Sequence, residues 1–343
     1  MDSALLVKSA GMKIFLTFPL LFLFFSSFSK FNIPETPFSE YVFEAKECKV
    51  IHHNDSRIFI PSYAFYLDDK LYEGTVHMKY REFRDQLDIL INHLPMTYYA
   101  DGRQHTLESA GMFELKAYGN GKLLSFAPGQ KAQVHFAENY ALTGGETYVF
   151  NEYSLSWDKA TPFAAKKESN QILTDNSQDL WGDNIWRNDD NGMSNATQAI
   201  VNDTGGLDYV RIVNLSFAVM NVDKMALYNC DKILNEENIP MVADFKLEGY
   251  AQKLNSEVFV VYKNRNAVIS YMPEQFATDF KLLPNEPFTI FTFSLDGKIA
   301  ILDKKFSDTF IAKQYSNKRV VFPMKVFKNQ PQTKKELAAI SGL

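Results

Sequence analysis

Apolar and polar residues alternate with a period of two in most patterned segments of this chain. Residues 74–83 place Val76, Met78 and Tyr80 at alternate positions, with charged or polar side chains between them. Residues 112–118 repeat the pattern. Successive side chains of a β-strand point to opposite faces of the sheet, so each segment is predicted to be a strand with one buried face.

Residues 131–137 predict a further strand of this kind. Val134 and Phe136 are expected to point inward and His135 outward, because neighbouring strand positions occupy opposite faces. Helical spacing is found in residues 85–93 and 334–340. The pattern therefore predicts a mainly β protein with few short helices.

Turn-forming residues connect several of the predicted strands. They are the sequences G-N-G at 119–121, N-R-N at 264–266 and D-G at 296–297. Gly and Asn adopt positive φ angles at low cost, which tight hairpin turns require. We expect an antiparallel hairpin at each position. Between residues 108 and 114, the small residues Ala110 and Gly111 are expected to permit close backbone approach and so to fix the packing where a strand begins.

A polar segment divides the patterned regions. Residues 166–206 are rich in Asn, Asp, Ser, Gly and Gln and almost lack apolar periodicity, which is typical of a long loop or linker. We expect two antiparallel β-sandwich-like domains joined by a polar linker. The predicted divisions are a signal peptide (1–29), a first β-sandwich domain (30–150), a polar linker (151–207), a second β-rich domain (208–328) and a C-terminal tail (329–343).

The N-terminus has the layout of a secretory signal. Lys8 and Lys13 precede an apolar run at 14–25, and small residues follow as far as Ser29. A bilayer-spanning helix needs roughly 20 apolar residues, so the shorter run favours a signal cleaved near Ser29 over an uncleaved anchor. Met12 is an alternative start. We expect an exported protein, periplasmic, on the outer surface or secreted.

Composition narrows the function classes. The chain has 343 residues, of which 46% are hydrophobic, 22% charged and 14% aromatic, which is typical of a folded protein with much β structure. A net charge of −5 argues against a nucleic-acid partner. In an oxidising compartment Cys48 and Cys230 could form a disulfide, but two separate buried thiols are favoured because nothing local brings them together.

Two resemblances come from longer strings. The string I-F-I-P-S-Y-A-F at 58–65, followed by G-T-V-H-M at 74–78, resembles the I-P-x-x-A-F and G-x-V pattern of ZU5-like β-sandwich domains. This resemblance implies a role in protein interaction. Four further strings resemble a group of exported proteins of Bacteroidetes-type bacteria, which brings no known activity with it; they are Y-R-E-F-R-D (80–85), L-P-M-T-Y (94–98), E-S-A-G-M-F-E (108–114) and N-C-D (229–231).

The spacing of the histidines and acidic residues gives little indication of a metal site. All histidines lie in the first half, at positions 52, 53, 77, 93, 105 and 135. His77 and His135 would meet only if their strands paired, and solvated surface histidines are favoured. Residues 188–198 imitate a calcium-binding loop. The first and last ligand positions of such a loop would fall on Arg187 and Gln198, where acidic ligands are needed. A looser calcium site would use Asp183, Asp189 and Asp190.

Catalytic motifs are also lacking. The chain has no G-x-S-x-G elbow, no phosphate-binding loop and no G-x-G-x-x-G, and the pair Ser156 and Lys159 lacks the other elements of its motif. A glycan hydrolase would need two carboxylates across a cleft. The candidates are Glu82, Asp85, Asp88, Glu108 and Glu114. We predict no cofactor, and a non-enzymatic protein is favoured.

The charged residues 81–88 favour an internal ion-pair network, with a partner surface as the alternative. Trp181 and Trp186 either dock back onto a domain or stack on a sugar or another protein. The candidate interaction surface consists of Arg81, Asp85, Trp181 and Trp186. We therefore expect an exported cell-envelope or surface protein that binds a protein or a glycan. The alternatives are a structural envelope component and a carboxylate-dependent glycan hydrolase.

Overall fold

A computed structural model describes residues 31–100, 102–137, 145–160, 164–173, 197–201, 207–234 and 237–343. The predicted signal peptide (1–29) lies outside these residues. Residues 31–343 belong to one compact unit.

The first strands along the chain are β1 (Ser39–Glu44), β2 (Lys49–His53), β3 (Ser56–Ile60), β4 (Phe65–Leu67), β5 (Lys70–Leu71), β6 (Thr75–Phe83), β7 (Thr97–Ala100), β8 (Arg103–Gly119), β9 (Lys122–Leu123), β10 (Ser125–Phe126), β11 (Ala132–Ala137), β12 (Glu146–Asn151) and β13 (Ser156–Lys159). The later strands are β14 (Ala164–Leu173), β15 (Thr197–Val201), β16 (Leu207–Val222), β17 (Leu227–Ile233), β18 (Ile239–Pro240), β19 (Val242–Leu247), β20 (Val258–Tyr262), β21 (Val268–Tyr271), β22 (Lys281–Leu282), β23 (Phe288–Phe293), β24 (Ile299–Leu302) and β25 (Arg319–Val326).

The helices are α1 (Gln86–Ile91), α2 (Lys304–Thr309) and α3 (Lys334–Ser341), with 3₁₀ turns at Pro273–Gln275 and Ala312–Tyr315. None of the helices in the described part of the chain has the length and apolarity needed to cross a membrane. The predicted mainly β class with few short helices is confirmed. Helices α1 and α3 lie where the sequence predicts them.

Three large sheets organise the described residues. Sheet 1 has the strand order β1-β6-β8-β17-β12-β13, with β7 and β9 also paired to β8. Sheet 2 has the order β14-β16-β11-β3-β2, with β15 paired to β16. Sheet 3 has the order β19-β25-β24-β23-β20-β21. Every pair in sheets 1 and 2 is antiparallel, whereas β19 and β25 in sheet 3 are parallel.

Sheets 1 and 2 share one hydrophobic core. Val76, Met78 and Tyr80 of β6 are fully buried in it, together with Ile58 of β3 and Val134 of β11. Val76, Met78, Tyr80 and Val134 are inward positions that the alternation predicts. The first part of the chain is therefore a β-sandwich.

The predicted turns also occur. Asn120 and Gly121 have φ angles of 51° and 75° and join β8 to β9, where Gly119 pairs with Lys122. Gly297, with a φ of 76°, lies in the turn between β23 and β24. The turn at 264–266 joins β20 to β21. All three form antiparallel hairpins, as expected.

The close approach at Gly111 is made by a side chain, whereas the sequence predicts a close approach of backbone. Strand β8 has a register shift opposite Cys230 and Asp231, and Gly111 there has a φ of 139°. A Cβ atom at this position would lie 2.4 Å from the ring of Phe136 on sheet 2. Only glycine combines this backbone angle with such close packing.

The outward position predicted for His135 is wrong. Its residue exposure is 4%, its Nε2 atom lies 2.8 Å from Oε1 of Gln133, and its ring lies 4.7 Å from the ring of Phe59. His135 lies opposite Arg57 of β3 in the sheet, and the side chains of Phe59 and Gln133 contact its ring. Long side chains on neighbouring strands therefore bury it.

The predicted domain boundary at 207/208 needs correction. Strands β16 and β17, at the start of the predicted second domain (208–328), pair with β11 and β8 and so belong to sheets 2 and 1. The predicted linker (151–207) contributes β13 to sheet 1 and β14 and β15 to sheet 2. Backbone pairing explains the difference, since a strand with polar side chains still completes a ladder.

Sheet 3 is buried on both faces. Val260 and Tyr262 of β20 lie in one core, and Phe259 and Val261 lie in another that includes Leu337 of α3. The second core also contains residues of α1 and of sheet 1. A strand covered on both faces has a continuous apolar sequence, which explains why V-F-V-V-Y at 258–262 shows no alternation.

Polar contacts fix the β20–β21 turn to the sandwich. Nε2 of Gln86 donates to the carbonyl oxygens of Tyr262 (3.0 Å) and Lys263 (3.1 Å). The backbone N–H of Ser109 donates to the carbonyl oxygen of Asn266 at 3.0 Å. Cys48 is exposed and Cys230 is buried, and the two form no disulfide.

Candidate functional site

Arg81 makes internal contacts. Its Nε and Nη2 atoms lie 2.7 and 2.6 Å from Oε2 of Glu114, and Nη1 donates to the carbonyl oxygen of Thr36 at 3.0 Å. The guanidinium group also lies 4.3 Å from the ring centre of Phe38. Only 15% of the side chain is exposed, so little of Arg81 remains for a partner.

Asp85 has an equally clear structural role. Its carboxylate accepts from the backbone N–H groups of Leu87 and Asp88 and caps α1. Lys334 Nζ lies 2.7 Å from Asp85 Oδ2 and 2.6 Å from Asp88 Oδ1, which joins α3 to α1. Burial opposes the charge of Lys334, but the hydrogen bonds that its ammonium donates to both carboxylates, with their negative charges, outweigh burial and raise the lysine pKa. Arg81 and Asp85 thus act within the fold.

Glu82 occupies the centre of a buried polar cluster. Tyr80 Oη donates to Glu82 Oε1 at 2.9 Å, and Arg84 Nε donates to Oε2 at 2.7 Å. Tyr41 Oη lies 2.8 Å from Nδ1 of His53, whose Nε2 is 4.0 Å from Glu82 Oε2. Burial lowers the pKa of His53. A hydroxyl, an imidazole and a carboxylate in series suit proton relay, but the last separation exceeds hydrogen-bond range.

The other carboxylates considered for a hydrolase are also paired with cations. Glu108 Oε2 lies 3.1 Å from Lys232 Nζ and 3.3 Å from Arg265 Nη1, and Glu114 pairs with Arg81 and with Lys116 at 2.5 Å. Each of these carboxylates therefore forms ion pairs within the fold.

The N-C-D element lies in the protein interior. Asn229 Oδ1 accepts from Oγ of Ser109 at 2.7 Å, and Asn229 Nδ2 donates to Oδ2 of Asp231. Asp231 is fully buried, and burial raises its carboxyl pKa well above the ordinary value. Its Oδ1 atom has no hydrogen-bond partner among the described residues. Cys230, between these two residues, lies in the core shared by sheets 1 and 2, with its Sγ atom 3.3 Å from Sδ of Met220. All three side chains of the element are buried.

The histidines do not form a metal site in the described residues. His77 lies on sheet 1 and His135 on sheet 2, so the pairing that would bring them together does not occur. Throughout the described ranges, no group of three or more His, Cys, Asp or Glu side chains is placed to hold a metal ion. Trp181 and Trp186, with Asp183, Asp189 and Asp190, lie outside the described residues, and their roles stay predictions.

The loop between β12 and β13, residues 152–155, offers a different kind of surface. Asn151 pairs with Ser156 across the hairpin, and Asn151 Oδ1 accepts from the backbone N–H groups of Tyr153 (3.0 Å) and Ser154 (3.3 Å). Asn151 Nδ2 donates to Asp158 at 2.9 Å. These bonds hold the loop in one shape. We call residues 151–156 the presenting turn.

The presenting turn exposes two large side chains. Tyr153 is 102% exposed and Leu155 is 73% exposed. Leu155 has a φ of 51°, a left-handed conformation that costs a leucine about 1–2 kcal/mol and that glycine or asparagine adopts readily. Neither the exposure nor the backbone angle stabilises the fold. Ordered apolar side chains in such a loop are typical of a binding surface.

The sequence alone does not predict the presenting turn. The available signal was Leu155, a leucine in the loop N-E-Y-S-L-S, where a glycine or a second asparagine is expected between two strands. Because Leu155 lies in an otherwise polar stretch, the sequence indicates that it belongs to the linker.

Comparison of the chain with protein-family models finds no matching family. Comparisons with curated proteins and with solved structures find no similar protein. The resemblances to ZU5-like domains and to exported Bacteroidetes-type proteins therefore stay predictions.

Proposed function

We propose that this chain is an exported, non-enzymatic protein of the cell envelope that binds a partner protein through the presenting turn. The observation that carries the proposal is the ordered exposure of Tyr153 and Leu155 on a hydrogen-bonded loop. Protein interfaces gain most of their affinity from a few large side chains that enter pockets of the partner. A rigid loop loses little conformational entropy on binding, which favours affinity.

A protein partner suits this surface better than a glycan. Leu155 has no hydrogen-bonding group for sugar hydroxyls, and its neighbour Tyr153 offers one ring and one hydroxyl. An apolar pocket on a protein would cover both side chains, with a gain of about 25 cal/mol for each Å² of apolar surface buried. The ion pairing of Glu82, Glu108 and Glu114 leaves the hydrolase alternative without support from the site.

Export rests on the N-terminal layout. Lys8 and Lys13 precede the apolar run 14–25, and the resemblance to exported proteins points in the same direction. Mass spectrometry of the protein recovered from its host tests this part independently. A mature N-terminus near residue 30 supports export, and an intact N-terminus on a cytoplasmic protein contradicts it.

The binding proposal is tested by crosslinking in the exporting cell followed by purification of a tagged chain. We expect one protein to be recovered reproducibly with the native chain and to be lost with the double variant Tyr153→Ser/Leu155→Asn. Asparagine suits the left-handed position, so this variant keeps the turn. The matched control is Leu295→Asn, since Leu295 is 60% exposed in a turn of sheet 3. Unchanged recovery with the double variant would contradict the proposal.

A stability measurement separates binding from folding at Leu155. Glycine at this position relieves the left-handed strain but adds freedom to the unfolded chain. We therefore expect Leu155→Gly to change the free energy of unfolding by less than about 1 kcal/mol in urea denaturation. The same variant should recover less partner. A stability loss above about 2 kcal/mol would show that Leu155 is needed for the fold.

A further inference from the structure

Strand β1 is the first strand in the order of sheet 1, and among the described residues it pairs only with β6. The N–H of Ala45 donates to the carbonyl oxygen of Gly74 at 3.0 Å and extends this antiparallel ladder. Backbone groups of successive residues in such a ladder point alternately toward the partner strand and away from it. The N–H and C=O groups of Glu40 and Val42 therefore point away from β6. We call this side of β1 the β1 edge.

The β1 edge lacks the usual protection of an edge strand. The outward backbone groups form no hydrogen bond with any described residue. Other edge strands are partly covered: the N–H of Ala243 in β19 donates to the carbonyl oxygen of Phe276 at 2.8 Å, and the carbonyl oxygen of His52 in β2 accepts from Tyr41 Oη at 3.4 Å. Proline, lysine or a bulge blocks many natural edges. Strand β1 has no proline, no lysine and no register shift.

The outer face of β1 carries an apolar side chain between two carboxylates. Val42 is 57% exposed, and Glu40 and Glu44 lie two residues away on either side, on the same face of the strand. Glu40 pairs with Lys79 at 2.8 Å, but its side chain stays 58% exposed. Glu44 accepts from Thr75 Oγ1 at 2.8 Å and has no ion-pair partner among the described residues. Both carboxylates can therefore accept a cation from a partner.

These charges decide which kind of strand fits the β1 edge. If two copies of the chain paired antiparallel with Val42 opposite Val42, Glu40 of each copy would lie opposite Glu44 of the other. Like charges directly opposite each other on neighbouring strands are destabilising. A segment with cations at these two positions is instead stabilised at both of them. Charge complementarity thus favours a basic partner over a second copy.

We infer that the β1 edge accepts an extended segment of another protein, in which an apolar residue is flanked at two-residue spacing by lysine or arginine. The segment adds a strand to sheet 1 through backbone hydrogen bonds at Glu40 and Val42. Its apolar residue contacts Val42, and its cations pair with Glu40 and Glu44. Strands β1 and β13 lie at opposite ends of the strand order, so the inference does not depend on the presenting turn.

Fluorescence anisotropy of labelled peptides titrated with the full chain tests the inference. The probe is the peptide T-K-T-V-T-K-T, and the matched peptide T-E-T-V-T-E-T reverses both charges. We expect the basic peptide to bind about tenfold more tightly than the acidic one, because two opposite-charge pairs replace two like-charge pairs. The variant Glu40→Gln/Glu44→Gln should lose this preference.

Val42→Pro tests the backbone part of the inference. Proline removes the outward N–H of residue 42 and leaves the N–H groups of Tyr41 and Phe43, which point to β6, in place. We expect this variant to bind the basic peptide about tenfold more weakly than the native chain. The matched control Val42→Thr keeps the N–H and should retain most of the affinity. Thermal unfolding of both variants checks that sheet 1 is intact.

Three results would overturn the inference. The first is equal affinity of the native chain for the two peptides, or binding of neither. The second is a folded Val42→Pro variant that binds the basic peptide as the native chain does. The third is a native chain that dimerises in sedimentation equilibrium while Val42→Pro stays monomeric, which would assign the edge to a second copy. The turn variant Tyr153→Ser/Leu155→Asn should bind the basic peptide normally, so each proposal can fail without the other.

Discussion

Replacing Arg84 by methionine is expected to reduce the free energy of unfolding by about 3–5 kcal/mol, because it leaves a buried carboxylate without its cation. The Glu82 side chain is only 2% exposed and receives its charged hydrogen bonds from Arg84. His53 cannot substitute for Arg84, since burial lowers its pKa and keeps it neutral at pH 7. Chemical denaturation of Arg84→Met measures the loss.

Two comparison variants make this prediction specific. Arg319→Met removes an ion pair with Asp244 whose arginine side chain is 66% exposed, and it should cost less than about 1 kcal/mol. The double variant Glu82→Gln/Arg84→Met removes both charges and should be more stable than Arg84→Met alone. A small effect of Arg84→Met, or a double variant less stable than the single one, would show that the pair is not coupled as described.

Asp231→Asn is expected to stabilise the protein, increasingly so as the pH rises. Burial raises the pKa of the Asp231 carboxyl, so the folded state keeps the proton that the unfolded state releases near pH 4. The native chain therefore loses stability as the pH rises from about 4 toward the folded pKa. Each unit by which the folded pKa exceeds the unfolded one corresponds to about 1.4 kcal/mol.

Unfolding of both proteins measured between pH 4 and pH 8 tests this prediction. The stability difference should be smallest at pH 4 and grow toward pH 8. Asp244→Asn is the control, because Asp244 lies at the surface beside Arg319, and it should not give this growing stabilisation. An Asp231→Asn variant whose stability relative to the native chain is independent of pH would mean that the buried carboxyl is ionised in the fold.

The sequence predicts those strands, turns and helices that are determined by residues close to one another along the chain. The alternation at Val76, Met78 and Tyr80 predicted β6, and the Asn120–Gly121 pair predicted the hairpin turn between β8 and β9, because both depend on neighbouring residues. Asp85 begins α1 through its own side chain. Each of these could be predicted without knowing what packs against the element.

Long-range pairing could not be predicted in the same way. Strands β16 and β17 complete sheets that begin more than 100 residues earlier, and no local pattern records that choice. His135 alternates like an exposed residue and is buried because side chains such as Phe59 of the neighbouring strand β3 pack against its ring. The pairing of Arg81 with Glu114 likewise depends on the register of β6 against β8. A run of charged residues in the sequence does not show which of their side chains form ion pairs.

The proposed surface at the presenting turn depends on exposure, which the sequence does not record. From the sequence alone Tyr153 cannot be told from a tyrosine buried in a strand, and the structure shows that it is fully exposed. The predicted surface at Arg81 and Asp85 was chosen for its charge, and in the structure those charges are neutralised within the fold.

Site-specific photocrosslinking in the exporting cell tests the central proposal most directly. A photoreactive phenylalanine analogue placed at Tyr153 is compared with the same analogue at Leu295, which is exposed on another surface. If the presenting turn binds a partner protein, we expect one discrete protein adduct from position 153 and none from position 295. No adduct at 153, or the same mixture of adducts from both positions, would contradict it.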